Sequence, residues 1–204
     1  MNAVVEKTIE NLKKNDFNVV CCATAQEAKD YLTGKIDAGK SIGVGGSMTI
    51  RQTEVLPALE EKGCRIVTHW GAAGDEAEQK MKEAREADVY LCSVNAITSG
   101  GKLVMIDGRG NRVGAICDGP HEVYFVASTA KIVDGGTGAA IARIKRDAAP
   151  PNCKRLGLNT PCAETGVCAG DECADPSCRI TLVVDKVPRK RTMTVDLVEE
   201  KLGY

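Results

Sequence analysis

Short strand-like runs alternate with helix-like segments along the first two thirds of the chain. Apolar runs that suit a pleated sheet occupy residues 18–23, 40–45, 64–70, 89–94 and 122–127. Segments with helical apolar spacing, or with a charged and Ala-rich composition, precede and separate the first four of these runs. Such alternation is typical of α/β domains, in which right-handed crossovers place strands side by side. The sequence therefore predicts an α/β fold with a largely parallel sheet.

Local signals predict where two of the helices begin and end. Thr24 and Glu27 have the spacing of a capping box and predict a helix that follows them. Thr137 is expected to cap a helix with the sequence AAIARIKRDAA, and Pro150 and Pro151 are expected to mark its end.

The composition changes after residue 150. Five of the ten cysteines fall between residues 150 and 179, in a stretch with little hydrophobic periodicity. Two extended runs, at 179–187 and 192–198, close the chain. We therefore expect an α/β core at 1–149, and a Cys-rich loop with C-terminal strands at 150–204 that completes the same domain.

The overall charge argues against nucleic acid or a membrane as a partner. Lys and Arg total 27 against 28 Asp and Glu, and aromatic residues make up 3% of the chain, so neither a basic patch nor a base-stacking platform is indicated. The first fifteen residues mix charges with apolar residues, unlike a secretory signal, and no run is long enough to span a bilayer. We expect a cytoplasmic protein with free, metal-bound or catalytic cysteines, and a homodimer on general grounds.

A glycine-rich turn follows the second predicted strand. Gly43, Gly45, Gly46 and Ser47 lie between this strand and a predicted helix. Backbone N–H groups at such a turn can bind a phosphate or carboxylate. The alternative is a tight turn in which Ser47 only caps the helix.

A polar excursion follows the strand at 89–94. Asn95, Thr98 and Ser99 come first, a short strand is expected at 103–106, and a tight turn is expected to hold Asn111 and Arg112. Arg112 can pair with a carboxylate or phosphate, and Asp107 can orient it or act as a base. The alternative is that these are turn residues bonded to their own backbone.

Both features follow strands, and parallel strands bring their carboxyl ends to one edge of the sheet. We therefore expect one ligand-binding crevice, with no catalytic residue assigned. Its candidate residues are Gly45, Gly46, Ser47, Thr49, Asn95, Thr98, Asp107, Asn111 and Arg112. Cys92 and Cys117 are expected to be core residues in strands, and His69 and His121 to be structural.

Four cysteines in the Cys-rich loop are candidate metal ligands. Cys162, Cys168, Cys173 and Cys178 are separated by five, four and four residues. Four thiolates on a loop can hold a structural zinc ion or an iron–sulfur cluster, and the spacing matches neither a zinc ribbon nor a ferredoxin. Free thiols and oxidised disulfides are the alternatives.

Four blocks of the chain resemble the lactate-utilisation (LUD) domain family. They are GVGGSMTIRQT at 43–53, SVNAITSGGKLVMIDGRGNRVGAI at 93–116, DGPHEVYFVASTAKIV at 118–133 and NTPCAETGVC at 159–168. The resemblance implies a three-layer fold related to sugar-phosphate isomerases, CoA-transferases and formyltetrahydrofolate cyclo-ligases. It also implies a role beside iron–sulfur partners in a system that oxidises lactate to pyruvate.

Three functions remain open from the sequence. The first is a protein that binds a small anionic metabolite and supports lactate oxidation, with electrons handled by a metal cluster or by an iron–sulfur or flavin partner protein. The second is a non-redox transferase, isomerase or ligase that acts on a phosphorylated or CoA-linked metabolite. The third is a non-catalytic subunit of an iron–sulfur complex.

Overall fold

A computed structural model describes residues 2–204, which contain ten β-strands and nine α-helices. The strands are β1 (Asn18–Cys22), β2 (Ser41–Val44), β3 (Arg65–Thr68), β4 (Val89–Cys92), β5 (Ala96–Thr98), β6 (Leu103–Asp107), β7 (Glu122–Ser128), β8 (Ile132–Val133), β9 (Ile180–Val184) and β10 (Thr192–Val198). The helices are α1 (Ala3–Lys14), α2 (Ala25–Lys35), α3 (Met48–Thr53), α4 (Val55–Glu61), α5 (Gly74–Arg85), α6 (Asn111–Asp118), α7 (Thr137–Arg143), α8 (Ala149–Arg155) and α9 (Pro161–Thr165). Short 3₁₀ helices span Thr129–Lys131 and Gly170–Glu172, and a π-helical turn spans Ile144–Ala148.

The strands form two sheets. The main sheet has the order β1-β10-β7-β4-β2-β3, and all of its strands are parallel. The second sheet has the order β8-β5-β6-β9, in which β5 pairs with β8 in parallel and β6 is antiparallel to both of its neighbours.

Alternate side chains of the main sheet enter two different cores. Tyr124 and Val126 of β7 pack with α2, α3 and α4 on one face. Phe125 and Ala127 pack on the other face, with apolar residues of α1, α5, α6 and the second sheet. Burial on both faces explains why these strands read as continuous apolar runs in the sequence. The three-layer α/β fold with a largely parallel sheet is confirmed.

Two predicted helix caps are present. The Oγ1 of Thr24 accepts a hydrogen bond from the backbone N–H of Glu27 at 3.2 Å, and the Glu27 carboxylate accepts one from the N–H of Ala23. The Oγ of Ser47 accepts from the N–H of Ile50 at 3.2 Å. Both hydroxyls satisfy N–H groups that the first helical turn leaves without a partner.

The prediction that a helix ends at Pro150 and Pro151 is wrong. Helical structure continues from α7 through the π-helical turn into α8, and both prolines lie in the first turn of α8. The π turn shifts the hydrogen-bond register just before them, and a first turn does not need their missing N–H groups. Gly136, not Thr137, is the cap of α7.

The polar excursion also differs from its prediction. Residues Ala96–Thr98 form the buried strand β5, which at three residues is too short to show a period. Arg112 lies in the first turn of α6 rather than in a tight turn with Asn111, because Gly110 at φ 86° directs the chain into that helix. Cys92 is buried in β4 as predicted, but Cys117 is exposed on α6 and is neither in a strand nor in the core.

The two C-terminal strands belong to different sheets. β9 lies at the edge of the second sheet, whereas β10 lies between β1 and β7 in the main sheet. After β10 the chain crosses the carboxyl ends of the main strands, where the N–H of Gly203 donates to Gln52 Oε1. No helix in residues 2–204 is both long and apolar enough to cross a bilayer.

Candidate functional site

A crevice of about 560 Å³ lies at the carboxyl edge of the main sheet. The segments that follow β2, β3, β4, β7 and β10 all contribute to its wall, as do the π turn and α8. Open α/β sheets bind ligands at this edge, because loops from neighbouring strands converge there. We call this cavity the crevice.

Seven of the nine predicted ligand-binding residues line the crevice. They are Gly46, Ser47, Thr49, Asn95, Asp107, Asn111 and Arg112. Gly45 is not among the lining residues, and a Cβ there would come within 2.7 Å of the Tyr90 hydroxyl, so a side chain at this position would require Tyr90 to move. Thr98 lies in the second sheet, and its Oγ1 accepts from the N–H of Lys102.

A buried lysine lies at the floor of the crevice. Lys131 follows β7 and is only 3% exposed. Its Nζ donates to Thr49 Oγ1 at 2.8 Å, to Ser93 Oγ at 3.0 Å and to the Val94 carbonyl at 3.2 Å. These three acceptors come from the segments after β2 and β4, so the amine is held where three parallel strands end.

Burial, and after it the nearby charges of Arg143 and Arg112, lower the pKa of Lys131 to about 7. A buried amine without a carboxylate partner is costly to charge, which explains the direction of the shift. A binding anion would favour the charged form. Lys131 is therefore placed to sense and hold a negative group.

Sequence reasoning did not single out Lys131 as a site residue. One signal for it was present in the sequence: Lys131 comes three residues after a continuous apolar strand. In a parallel sheet, residues just beyond the ends of the strands lie at the edge where ligands bind. The burial of Lys131 depends on Thr49 and Ser93, which are 82 and 38 residues away in the chain, and no local pattern reports such contacts.

Arg112 is the centre of a second polar network on the crevice wall. Its Nε and Nη2 both donate to Asp107 Oδ1, at 2.9 and 2.6 Å, and Nη2 also lies 2.7 Å from Asn95 Oδ1. Its Nη1 donates to the Ser93 carbonyl at 3.2 Å. The other carboxylate oxygen of Asp107, Oδ2, accepts a hydrogen bond from the N–H of Val113 on α6. Most guanidinium N–H groups are thus directed at protein acceptors, so Arg112 gives the crevice charge and rigidity rather than a wide contact surface.

Basic residues outnumber acidic residues in the crevice lining, although Arg109 is paired with Glu78 outside it. Asp107 is the one acidic residue of the lining, and it is paired with Arg112. The basic residues of the lining are Arg51, Arg109, Arg112, Lys131 and Arg155. Such an excess of positive charge raises the local concentration of anions.

His69 and Trp70 lie at the rim. The Arg51 guanidinium stacks 4.1 Å from the centre of the Trp70 ring. Burial, followed by the charges of Arg109 and Arg51, lowers the pKa of His69 below its usual value. His69 therefore adds little positive charge at neutral pH.

A second cavity, of about 290 Å³, adjoins the crevice and is lined by cysteines. We call it the thiol cavity. The cysteines of its wall are Cys153, Cys162, Cys168, Cys173 and Cys178. Two of them, Cys153 and Cys178, line the crevice as well. The four predicted metal ligands thus share one cavity with a fifth cysteine from α8 that the prediction left out.

The thiols of this cavity influence one another. Burial, and then the neighbouring Cys153, Cys168 and Cys162, raise the pKa of Cys178 to about 11. Burial also raises the pKa of Cys153, and the neighbouring Cys162 acts in the same direction. Within residues 2–204 all ten cysteines are unpaired thiols, and no three Cys, His, Asp or Glu side chains are arranged to grip a single metal ion.

Comparisons with known proteins identify a family for the chain. The family model described as LUD domain matches residues 5–198. A solved structure of a DUF162 family protein from Deinococcus radiodurans has 12% identity, covers 96% of each chain and superposes with a TM-score of 0.56, so the two share a fold. Ribose 5-phosphate isomerase A from Neisseria gonorrhoeae has 16% identity over 68% of this chain and 69% of that chain, with a TM-score of 0.34. No curated protein matches the chain significantly.

Proposed function

Because the chain belongs to the LUD domain family, we propose that it binds a small 2-hydroxy or 2-oxo carboxylate in the crevice and takes part in the oxidation of lactate to pyruvate. The removal of two electrons and two protons from lactate requires an acceptor. A partner protein that carries a flavin or an iron–sulfur centre would receive the electrons.

The observation that carries the proposal is the buried Lys131 amine. Its Nζ lies between two hydroxyls, those of Thr49 and Ser93, at the floor of a cavity whose charge is positive. A carboxylate that entered this end would meet the charge of the Lys131 ammonium group and the hydroxyl of Thr49, whereas the Ser93 hydroxyl donates to Thr49 Oγ1 and to the Val94 carbonyl. Hydrogen bonds to a charged group are stronger than those between neutral groups. A carboxylate held in this position would fix the orientation of the neighbouring carbon, which bears the reacting hydroxyl.

A second candidate is favoured by the size of the crevice. A volume of about 560 Å³ lies within the range of pockets that hold drug-sized ligands, whereas lactate is much smaller. A phosphorylated or CoA-linked metabolite would fill more of the space and would use the basic residues near the rim. In that case the reaction is a non-redox transfer, isomerisation or ligation.

Isothermal titration calorimetry with L-lactate, pyruvate and inorganic phosphate tests the first proposal against the second. We expect pyruvate and lactate to bind, and we expect Lys131→Met to weaken that binding by about 10- to 100-fold through the loss of charged hydrogen bonds. Lys7→Met, on the exposed face of α1, is the matched control and should bind as the wild type does.

Two results would reject the lactate proposal. One is equal binding of pyruvate by Lys131→Met and the wild type. The other is binding of phosphate compounds without any binding of the carboxylates, which would favour the second candidate.

A further inference from the structure

Four residues at the rim of the crevice come from two neighbouring strand ends. Gly46 follows β2, His69 and Trp70 follow β3, and Arg51 lies on α3. β2 and β3 are parallel neighbours, and their last paired residues come two positions before Gly46 and Trp70. The sheet register therefore brings the segments after the two strands together. We call these four residues the rim site.

The side chains of the rim site surround the space beside Gly46. A Cβ at Gly46 would lie 3.9 Å from Trp70 Nε1 and 4.0 Å from His69 Nε2. The Arg51 guanidinium lies 4.1 Å from the centre of the Trp70 ring. Gly46 is exposed, and its φ is not in the left-handed region. The backbone therefore does not require glycine here, whereas the lack of a side chain keeps this space open to a ligand.

Packing holds Trp70 and Arg51 in place and leaves their charge and donors available. The Trp70 ring packs against the apolar core formed with α2, α3 and α4. Stacking holds the Arg51 guanidinium by its face, so the N–H groups at its edge are free to donate. Within residues 2–204, no carboxylate lies within salt-bridge distance of Arg51. Arg109, in contrast, is paired with Glu78.

The chemistry of the rim site suits a ligand that accepts hydrogen bonds. A guanidinium group and an indole N–H donate and cannot accept, and a neutral imidazole carries one N–H. No acidic residue belongs to the rim site, and Asp107, the one acid of the crevice lining, is paired with Arg112. This set of groups disfavours a cation and favours an anion.

The number and direction of the donors favour a phosphoryl group over a carboxylate. The donors come from three side chains on two segments, α3 and the chain after β3. A carboxylate offers two oxygens in one plane. A phosphoryl group offers three oxygens in a tetrahedral arrangement and up to two negative charges, and a guanidinium edge can bind two of these oxygens at once.

We propose that the rim site binds a phosphoryl group in the space beside Gly46, with Arg51 supplying the charge and Trp70 and His69 supplying further N–H donors. The rim site does not include Lys131, so the assignment is independent of which carboxylate binds at the floor of the crevice. The phosphoryl group belongs either to inorganic phosphate or to a phosphate monoester.

Isothermal titration calorimetry of the full chain with inorganic phosphate and with glycerol 3-phosphate tests the proposal. We expect Arg51→Met to weaken the binding of both by about 10-fold or more, because it removes the charged donor. Trp70→Phe keeps an aromatic ring but loses the N–H, and should weaken binding by about fivefold. Gly46→Ala places a methyl group in the proposed position of the ligand and should weaken binding by about 10-fold.

Two matched controls should bind both compounds as the wild type does. Arg85→Met removes an exposed arginine from α5, outside the crevice lining. Gly34→Ala adds a methyl group on α2, where nothing lies within 4 Å of a Cβ and φ is not left-handed. Tighter binding of glycerol 3-phosphate than of inorganic phosphate would support a monoester as the ligand, and equal affinities would support inorganic phosphate.

Thermal unfolding shows that each variant is folded, and Arg51→Met and Gly46→Ala, both at exposed positions, carry the test if Trp70→Phe does not fold. A wild type that binds neither phosphate compound would overturn the proposal, as would unchanged binding in both Arg51→Met and Gly46→Ala. Inorganic phosphate that binds to Arg51→Met but not to Lys131→Met would place the anion at the floor, and would also overturn it. Pyruvate, titrated into the same variants, should bind to Arg51→Met, so a failure of the rim site is distinguished from a failure of the carboxylate site.

Discussion

Arg112 joins the ends of three elements through a single side chain. Its hydrogen bonds reach Ser93 and Asn95 after β4, and Asp107 at the end of β6, while its own backbone lies in α6. Arg112 and Asp107 are both nearly buried, at 9% and 8% exposure of the whole residue. The crevice wall depends on this pair for its shape.

Substitution Arg112→Ala is expected to destabilise the fold by about 3–5 kcal/mol, because it leaves the Asp107 carboxylate buried without its cation. Urea unfolding followed by circular dichroism measures the change. Arg85→Ala, at an exposed position on α5, is the control and should alter the free energy of unfolding by less than about 0.5 kcal/mol. A loss below about 1 kcal/mol for Arg112→Ala would show that the network is not structural.

Some residues of the crevice could be predicted from the sequence, and others could not. Asn95, Asp107 and Arg112 fall within one short polar excursion, so their types and spacing made them visible as a group. Lys131 stands alone in its segment, and a lone lysine is normally a solvated surface residue. Its role depends on contacts with Thr49 and Ser93, which only the folded chain brings near.

At the scale of elements, the segment after β10 closes one side of the crevice. Gly203 has φ 64°, and a Cβ at this position would lie 2.2 Å from Thr49 Oγ1 and 3.2 Å from Lys131 Nζ. The carbonyl of Tyr204 accepts a hydrogen bond from Arg143. The segment is therefore packed directly on the two residues that we propose bind the carboxylate.

Gly203→Ala should force this segment or Thr49 to move, and we expect the affinity for pyruvate to fall by about fivefold, or about 1 kcal/mol. Gly157→Ala provides a close control, since Gly157 also has φ 64° but has nothing within 4 Å of a Cβ. Both variants bear the same backbone strain. An equal loss of affinity in the two, measured by calorimetry, would contradict contact with Thr49 and Lys131 as the cause.

Elements with a strong period were predicted well, and short or unusual ones were not. The strands of the main sheet are apolar runs, and α1 has helical spacing. The capping box predicts α2, and a charged, Ala-rich composition predicts α5. β5 has three residues, and α6 begins after a glycine turn that resembles a hairpin. The continuation of helical structure through Pro150 required a π turn, which no sequence pattern announces.

The main sheet of the molecule is completed by β10, a strand that comes late in the sequence. β10 pairs with β1 and β7 in the main sheet, so the C-terminal segment completes the core. The sequence predicts that residues 192–198 are extended, but strand order depends on pairing between distant segments and is not encoded in a local pattern. The strand order fixes the position of the crevice, because the segments that follow five of the parallel strands form its wall.

The crevice and the thiol cavity share a wall. Cys153 and Cys178 face both spaces, so the same short segment of α8 and the residues before β9 separate them. The central claim, however, is that the crevice binds an anion through Lys131, and it is tested without any metal.

The most direct measurement is the pH dependence of pyruvate binding from pH 6 to 9 in the wild type and in Lys131→Met. Burial, with a contribution from neighbouring positive charges, lowers the pKa of Lys131 from 10.5 to about 7, so the amine is mostly charged below pH 7 and increasingly neutral above it. The other charged groups that face it are Arg143 and Arg112, the latter paired with Asp107. The pKa of His69, in the same crevice, lies below 6.5.

Pyruvate carries its negative charge throughout this range, so binding above pH 7 must be coupled to uptake of a proton by Lys131. The account predicts that the affinity of the wild type falls as the pH rises through about 7, by up to about tenfold per pH unit. In Lys131→Met the affinity should be weak and independent of pH. A wild-type affinity that stays constant across the range, or a pH dependence that survives in Lys131→Met, would contradict the assignment of Lys131 as the anion-binding group.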